Sequence, residues 1–149
     1  QANPLYMNLW DISNVNIGVD EKTPVKSIYD PCPAGFHVPR GWEFNGFSKS
    51  GSGGGRDDLN VSGAFSRGWN FYCGLKGTGQ TIFFPATGAR FGIGILSNVG
   101  QKVLAYGSAV YGNTEGVFLL DAGPNGIYVG GVYRGGRREG ALPIRPVRE

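Results

Sequence analysis

Apolar and polar positions alternate loosely in "LYMNLWD" (Leu5 to Asp11), the pattern of a short strand whose side chains point to opposite faces in turn. Asn14 to Thr23 is polar and turn-like. In "VKSIYDPCPAGFHVPRG" (Val25 to Gly41), Pro31, Pro33 and Pro39 bar helical hydrogen bonding and push the preceding residues toward extended backbone, so a fixed irregular segment is expected. "RGWEFNGF" (Arg40 to Phe47) has the spacing of a short helix burying Trp42 or Phe44 with Phe47, weakened by two glycines. "SKSGSGGGRDD" is of low complexity and reads as an exposed flexible loop within the domain. Beyond it, "VSGAFSRGWNFYCGL" is rich in rings, and Thr81 to Phe84 reads as a buried strand stopped by Pro85 and a turn at Gly88. Val103 to Ala109, Gly116 to Leu120 and Ala141 to Val147 are further strand candidates, with Ile127 to Tyr133 another. Glycine-rich turns separate them at hairpin-like intervals, which predicts an antiparallel sheet in the carboxy-terminal half.

Composition sharpens this picture. Glycine supplies 27 of 149 residues without a G-X-Y period, and rings make up 13%, so large aromatic side chains held between glycine-permitted bends carry the packing. The length suits one domain, 1–149, with 1–25 as a lead-in. Folding such a chain buries roughly 70% of the surface its unfolded form exposes. No apolar run reaches the roughly 18 residues that span a bilayer, so no membrane insertion is expected. The chain begins at Gln1 without an initiator Met, as a mature form or an excised domain would.

Charge and chemistry point away from several function classes. Net charge is +3, and Arg134, Arg137, Arg138, Arg145 and Arg148 gather at the carboxy terminus, a thinner stripe than nucleic-acid binders carry. "RGGRRE" (Arg134 to Glu139) reads as a solvated hairpin tip, and no nucleic-acid partner is expected. Cys32 and Cys73 have no second Cys or His at ligand spacing, so no metal site is expected; a disulfide and two free buried thiols both stay open. The sole His, His37, has no acid, base or ligand attached to it by spacing and reads as structural. "GILSNVGQK" (Gly94 to Lys102) fails the phosphate-loop spacing and reads as a glycine turn, and "RFGIGILS" lacks the third glycine of a dinucleotide fingerprint. Asp57-Asp58 reads as a solvated turn, since a calcium loop needs more oxygens at regular offsets. No catalytic residue and no cofactor is assigned.

"KSIYDPCPAGFHVP" (Lys26 to Pro39), "GWNFYCGL" (Gly68 to Leu75), "IFFPATGAR" (Ile82 to Arg90), "LSNVG" (Leu96 to Gly100) and "LPIRPVRE" (Leu142 to Glu149) occur in this order. Together they resemble a C-type lectin-like domain of Bacteroidetes surface proteins, including fimbrillin-type proteins. The same fold is similar to that of variable proteins diversified by retroelements in phages and bacteria. The resemblance implies an α+β, C-type lectin-like fold: short helices, a twisted antiparallel sheet and long structured loops, built for display and adhesion. It implies a place outside the cell or on its surface, or alternatively on a phage virion, with multimeric display. A diversified segment would run over 91–140, where "LAYGSA" sets Tyr106 at a Trp position and Ala105 at an aromatic one. The Glu-Pro-Asn, Gln-Pro-Asp and Trp-Asn-Asp triplets of calcium-dependent sugar binding are missing. Formylglycine-generating enzymes share a related fold, but Cys32 and Cys73 do not match the context of their reactive cysteines, so enzyme activity is not expected.

On such a scaffold the stretch from Tyr106 to Glu139, with its four tyrosines and nine glycines, makes sense as a recognition face for a macromolecular ligand, protein or glycan. Tyr gives broad, rigid contact, and Gly, Ser and Asn give adaptable hydrogen bonding. If Phe118 and Leu120 face the core, Val117, Leu119 and Asp121 point outward. Phe91, Ile93, Leu104, Tyr106, Tyr111, Asn113, Glu115, Tyr128, Tyr133 and Arg134 join them as ligand-binding candidates. The alternatives are a pilus subunit whose face packs against its neighbour and, less favoured, a cysteine-using enzyme of the related fold.

Overall fold

The computed structural model describes residues 10–12, 25–74, 77–92, 94–110, 117–129 and 140–148. The protein is mostly β, with several small antiparallel sheets. β1 (Phe36–His37) pairs with β11 (Val147–Arg148). β2 (Gly53–Gly55), β8 (Val103–Val110), β9 (Val117–Gly123) and β10 (Gly126–Tyr128) form a four-stranded sheet in the order β2-β10-β9-β8. β3 (Val61–Ser62), β4 (Gly68–Tyr72) and β5 (Thr81–Pro85) form a third sheet, and β6 (Ala89–Phe91) pairs with β7 (Ile95–Ser97).

Strand parity builds the core. Val103 and Ala105 of β8, Leu120 and Ala122 of β9 and Ile127 of β10 all turn to one side of the four-stranded sheet. They meet Trp69 and Phe71 of β4, Phe84 of β5, Phe44 and Leu59 there. Phe47 stacks on Phe71 with ring centroids 4.3 Å apart, and Phe84 stands edge-on to both rings at 5.0 and 5.7 Å. Trp69 Nε1 donates to the Gly123 carbonyl at 3.0 Å and so locks the two sheets together. Asn60, fully buried, donates to the carbonyls of Gly46 (2.7 Å) and Gly74 (2.9 Å) and accepts from Gly77 N (2.7 Å). A buried amide satisfied on three sides organises three turns at once.

The structure refines the sequence reading at several places and departs from it at others. The expected α+β fold is met in part: antiparallel sheets and a short helix are present, but the body is mostly β, since Gly41–Phe47 is a seven-residue 3-10 helix and Arg56–Asp58 a single 3-10 turn. Phe44 is buried and Trp42 is exposed, so the helix contributes one ring fully and Phe47 at its edge. The glycine stretch is ordered. Ser48 Oγ and Ser50 N and Oγ donate to the Asp58 carboxylate, and Gly53–Gly55 pairs with β10. Glycine permits that pairing, because a Cβ at Gly53 would stand 2.6 Å from the Ile127 carbonyl oxygen. In β5 only Phe84 is buried, and Ile82 and Phe83 are exposed, so the expected buried strand is largely open. The expected strand over 141–147 is reduced to Val147–Arg148 and one bridge between Ala141 and Arg90, since Pro143 and Pro146 lack the ladder donor. Of the amino-terminal strand, Leu5 to Leu9 lie outside the described residues, and Asp11 forms a bridge with Lys26.

Candidate functional site

Four of the predicted residues, Leu104, Tyr106, Asp121 and Tyr128, lie on the second face of the four-stranded sheet. Leu104 is paired in register with Asp121, Asp121 with Tyr128, and Tyr106 with Leu119. Residues directly opposite on neighbouring strands share a face, so Leu104, Asp121 and Tyr128 form a row across three strands. Leu119 and Val117 belong to β9 by backbone. Ile93, Tyr111, Asn113, Glu115, Tyr133 and Arg134 lie outside the described residues.

Along this row exposure changes sharply. Leu104 is buried in a small cluster with Ala89, against which Phe91 and Leu142 pack. Tyr106 is buried too: its hydroxyl donates to the Gly140 carbonyl at 2.6 Å, its N–H to the Pro143 carbonyl at 3.0 Å, and its ring lies 5.9 Å from that of Trp10. Leu104 and Tyr106 are therefore interior residues where an open face was expected. The reason is that residues 140–143 run back over β8. Asp121, also expected outside, is 5% exposed and holds the Lys102 ammonium at 2.8 Å. At the far end Tyr128 is 56% exposed.

Where the cover ends, a groove of about 610 Å³ opens. Lys102, Asp121 and Tyr128 line it, with Asn98, Gln101, Asn125 and Phe65. Its position follows from two turns. Asn98 adopts a left-handed backbone (φ 58°), which Asn tolerates better than most residues, and its carbonyl accepts from both Gln101 N and Lys102 N at 3.0 Å. That closed turn delivers Lys102 to Asp121. The second turn, Pro124-Asn125, joins β9 to β10 beside Tyr128. Sequence reasoning found Asp121 and Tyr128 but missed Lys102, Asn98, Gln101, Asn125 and Phe65. Parity was the available signal: Lys102 precedes Leu104 by two and falls on the same face.

Away from the groove, Asp30 and Glu43 are engaged in holding the fold. The Asp30 carboxylate accepts from Lys26 Nζ (2.9 Å), Cys32 N (2.7 Å) and Val38 N (3.1 Å). Burial raises its pKa, and these hydrogen bonds outweigh burial and hold it below the ordinary carboxylate value. The Cys32 thiol is pushed up to about 11, first by burial and then by Asp30 beside it. Cys32 and Cys73 are both free, Cys32 buried and Cys73 exposed, which resolves the question of a disulfide. His37 Nε2 lies 3.2 Å from Glu43 Oε1, whose other oxygen accepts from Arg40 N at 2.5 Å. Among the described residues no three His, Cys, Asp or Glu side chains group as metal ligands, and no helix is long and apolar enough to cross a membrane. Set against protein-family models, curated proteins and solved structures, the chain matches none of them.

Proposed function

We propose that this chain is a ligand-binding, adhesive domain of C-type lectin-like kind, displayed on a cell, pilus or virion surface and diversified by a retroelement. It takes a macromolecular ligand, protein or glycan, at the open end of the β8–β9–β10 face. The observation that carries this reading is the groove lined by the exposed Tyr128, the ion-paired Lys102 and Asp121, and Asn98, Gln101 and Asn125. A rigid ring flanked by fixed polar groups suits non-covalent recognition, in which one or two aromatic anchors carry most of the affinity. The five ordered motifs and the body of small antiparallel sheets support the scaffold. Affinity at one site is modest and is raised by presenting many copies. The raised pKa of Cys32 weighs against the cysteine-using enzyme, because the thiolate is the nucleophile.

The test is capture on an array of glycans and a panel of extracellular host proteins, with wild type and Tyr128→Ala side by side. A ligand held by wild type and weakened at least about tenfold in the variant supports the groove. Capture that Tyr128→Ala leaves unchanged removes the groove from the reading, and no capture by wild type removes the adhesive function. One observation favours the pilus-subunit reading: Val25, Ile28, Tyr29 and Phe36 are all exposed around the Lys26 loop. Sedimentation showing assembly that rises with concentration would shift the conclusion to that reading.

A further inference from the structure

Away from the groove, Arg40 sits where a charge is costly. Val38 and Pro39 before it are fully buried, and Arg40 itself is only 9% exposed. Its backbone is fully used: the N–H donates to Glu43 Oε2, and the carbonyl accepts from Glu43 N at 3.2 Å. Its side chain is not. Nε and Nη2 are both buried and both lack a hydrogen-bond partner. These two nitrogens form one edge of the guanidinium, the fork that grips two oxygens of a carboxylate or phosphate in parallel.

The guanidinium stays charged at every pH a protein survives, so it cannot escape by losing a proton. A buried, unpaired charge is among the largest penalties a fold can carry. None of the ion pairs among the described residues includes the Arg40 side chain, and the Glu43 carboxylate meets His37 Nε2 and the Arg40 backbone N–H instead. A second donor stands at the same junction. Ser108 of β8 donates its N–H to the Pro39 carbonyl at 2.7 Å, and its buried hydroxyl also lacks a partner.

We propose that Arg40 and Ser108 form a binding site for a small oxyanion, held by the Nε–Nη2 edge of the guanidinium with the serine hydroxyl as a further donor. The ligand chemistry is two oxygens sharing negative charge, from a free carboxylate or from phosphate. Binding neutralises the buried cation and ties the 3-10 helix to β8. The anion is thus a structural ligand, separate from the groove and independent of what the groove recognises.

The experiment is thermal unfolding of the full chain in acetate, in phosphate and in chloride at matched ionic strength, with calorimetric titration of the same anions. Wild type should show a saturable heat with acetate or phosphate. Its Tm should rise by roughly 5–10 °C at an anion concentration a hundredfold above the dissociation constant. Acetate alone identifies a carboxylate source, and phosphate alone a phosphate source. Ser108→Ala should weaken binding severalfold, and Arg40→Met should abolish it. Phosphate also stabilises folded proteins by exclusion from their surface, so an equal rise in Arg40→Met overturns the site. If Arg40→Met does not fold, the wild-type titration decides: no saturable heat with either anion overturns the proposal.

Discussion

Lys26 Nζ lies 2.9 Å from Asp30 Oδ1, at the spacing of one helical turn, in a segment that prolines keep from being a helix. The same ammonium donates to the carbonyls of Cys32 and Phe36, and the same carboxylate accepts two backbone N–H groups. This pair replaces the backbone hydrogen bonds that the irregular chain cannot make for itself. Lys26→Met should therefore destabilise the fold by about 2–4 kcal/mol, because it leaves a carboxylate buried without its counter-charge. Urea unfolding measures this, and a change under about 0.5 kcal/mol, the range of ordinary surface substitutions, would show that the pair is ornamental.

The pH profile of stability should have two limbs with identified causes. Asp30 has a folded pKa below its ordinary value of 3.8, so it contributes stability above that value and loses it as pH falls through the lower folded value. Cys32 has a folded pKa of about 11 against 9.0 for a free thiol, so it favours the fold below 9 and loses that contribution between 9 and 11. Asp30→Asn should flatten the acid limb and Cys32→Ala the alkaline one. Unfolding curves from pH 2 to 11 that keep both slopes in the variants would assign the limbs to other groups.

Gly88 has φ of +62°, and a Cβ there would stand 2.2 Å from the Ser97 carbonyl oxygen and 2.6 Å from Val99 N. Both contacts are backbone and cannot swing aside. Gly88→Ala should lower stability by about 3 kcal/mol or more, through left-handed strain and through forcing β6 and β7 away from the following turn. Loss of amide protection at Ala89 and Phe91 in hydrogen exchange would locate the damage; unchanged exchange would contradict the packing described for this hairpin.

Much of the strand pattern was legible in the sequence because parity is a local property. Alternation along β8 sets Leu104 and Tyr106 on the face opposite Val103 and Ala105, yet both are buried there. What alternation cannot give is a covering layer: the segment at Gly140 to Pro143 buries Tyr106 from more than thirty residues away, through contacts no local pattern encodes. The glycine loop was misread for a related reason. Its composition says flexible, but Asp58 collects Ser48 and Ser50, and an edge strand forms from bare backbone. The groove was half-legible, since Lys102 and Asn98 sit in a turn whose distance from Asp121 exists only after β8 pairs with β9.

The two cysteines should behave differently toward a thiol reagent. Cys73 is exposed and should be alkylated by iodoacetamide in the native protein, while Cys32 is buried with a raised pKa and should react only after unfolding. One modified thiol per native chain at pH 8, read by mass spectrometry, is the expected result. Rapid modification of Cys32 near neutral pH would revive the cysteine-using enzyme as a reading of this chain.

The proposed diversification makes the most specific prediction, because the structure divides the candidate segment into buried and exposed positions. Leu104 and Tyr106 are packed under the carboxy-terminal segment and Asp121 is held by Lys102, so replacement there costs stability before it changes binding. Tyr128 is exposed at the groove, so replacement there should cost the fold little. Deep sequencing of this locus across its source population should then show replacements concentrated in codons 91 to 140 rather than 26 to 90. Within that window they should fall on adenine-templated positions and include Tyr128, sparing Leu104 and Tyr106. Substitution spread evenly over both windows would instead favour a fixed adhesin or pilus subunit. Frequent replacement of Tyr106 would show that the cover over β8 opens when ligand binds, moving the recognition face toward the centre of the sheet.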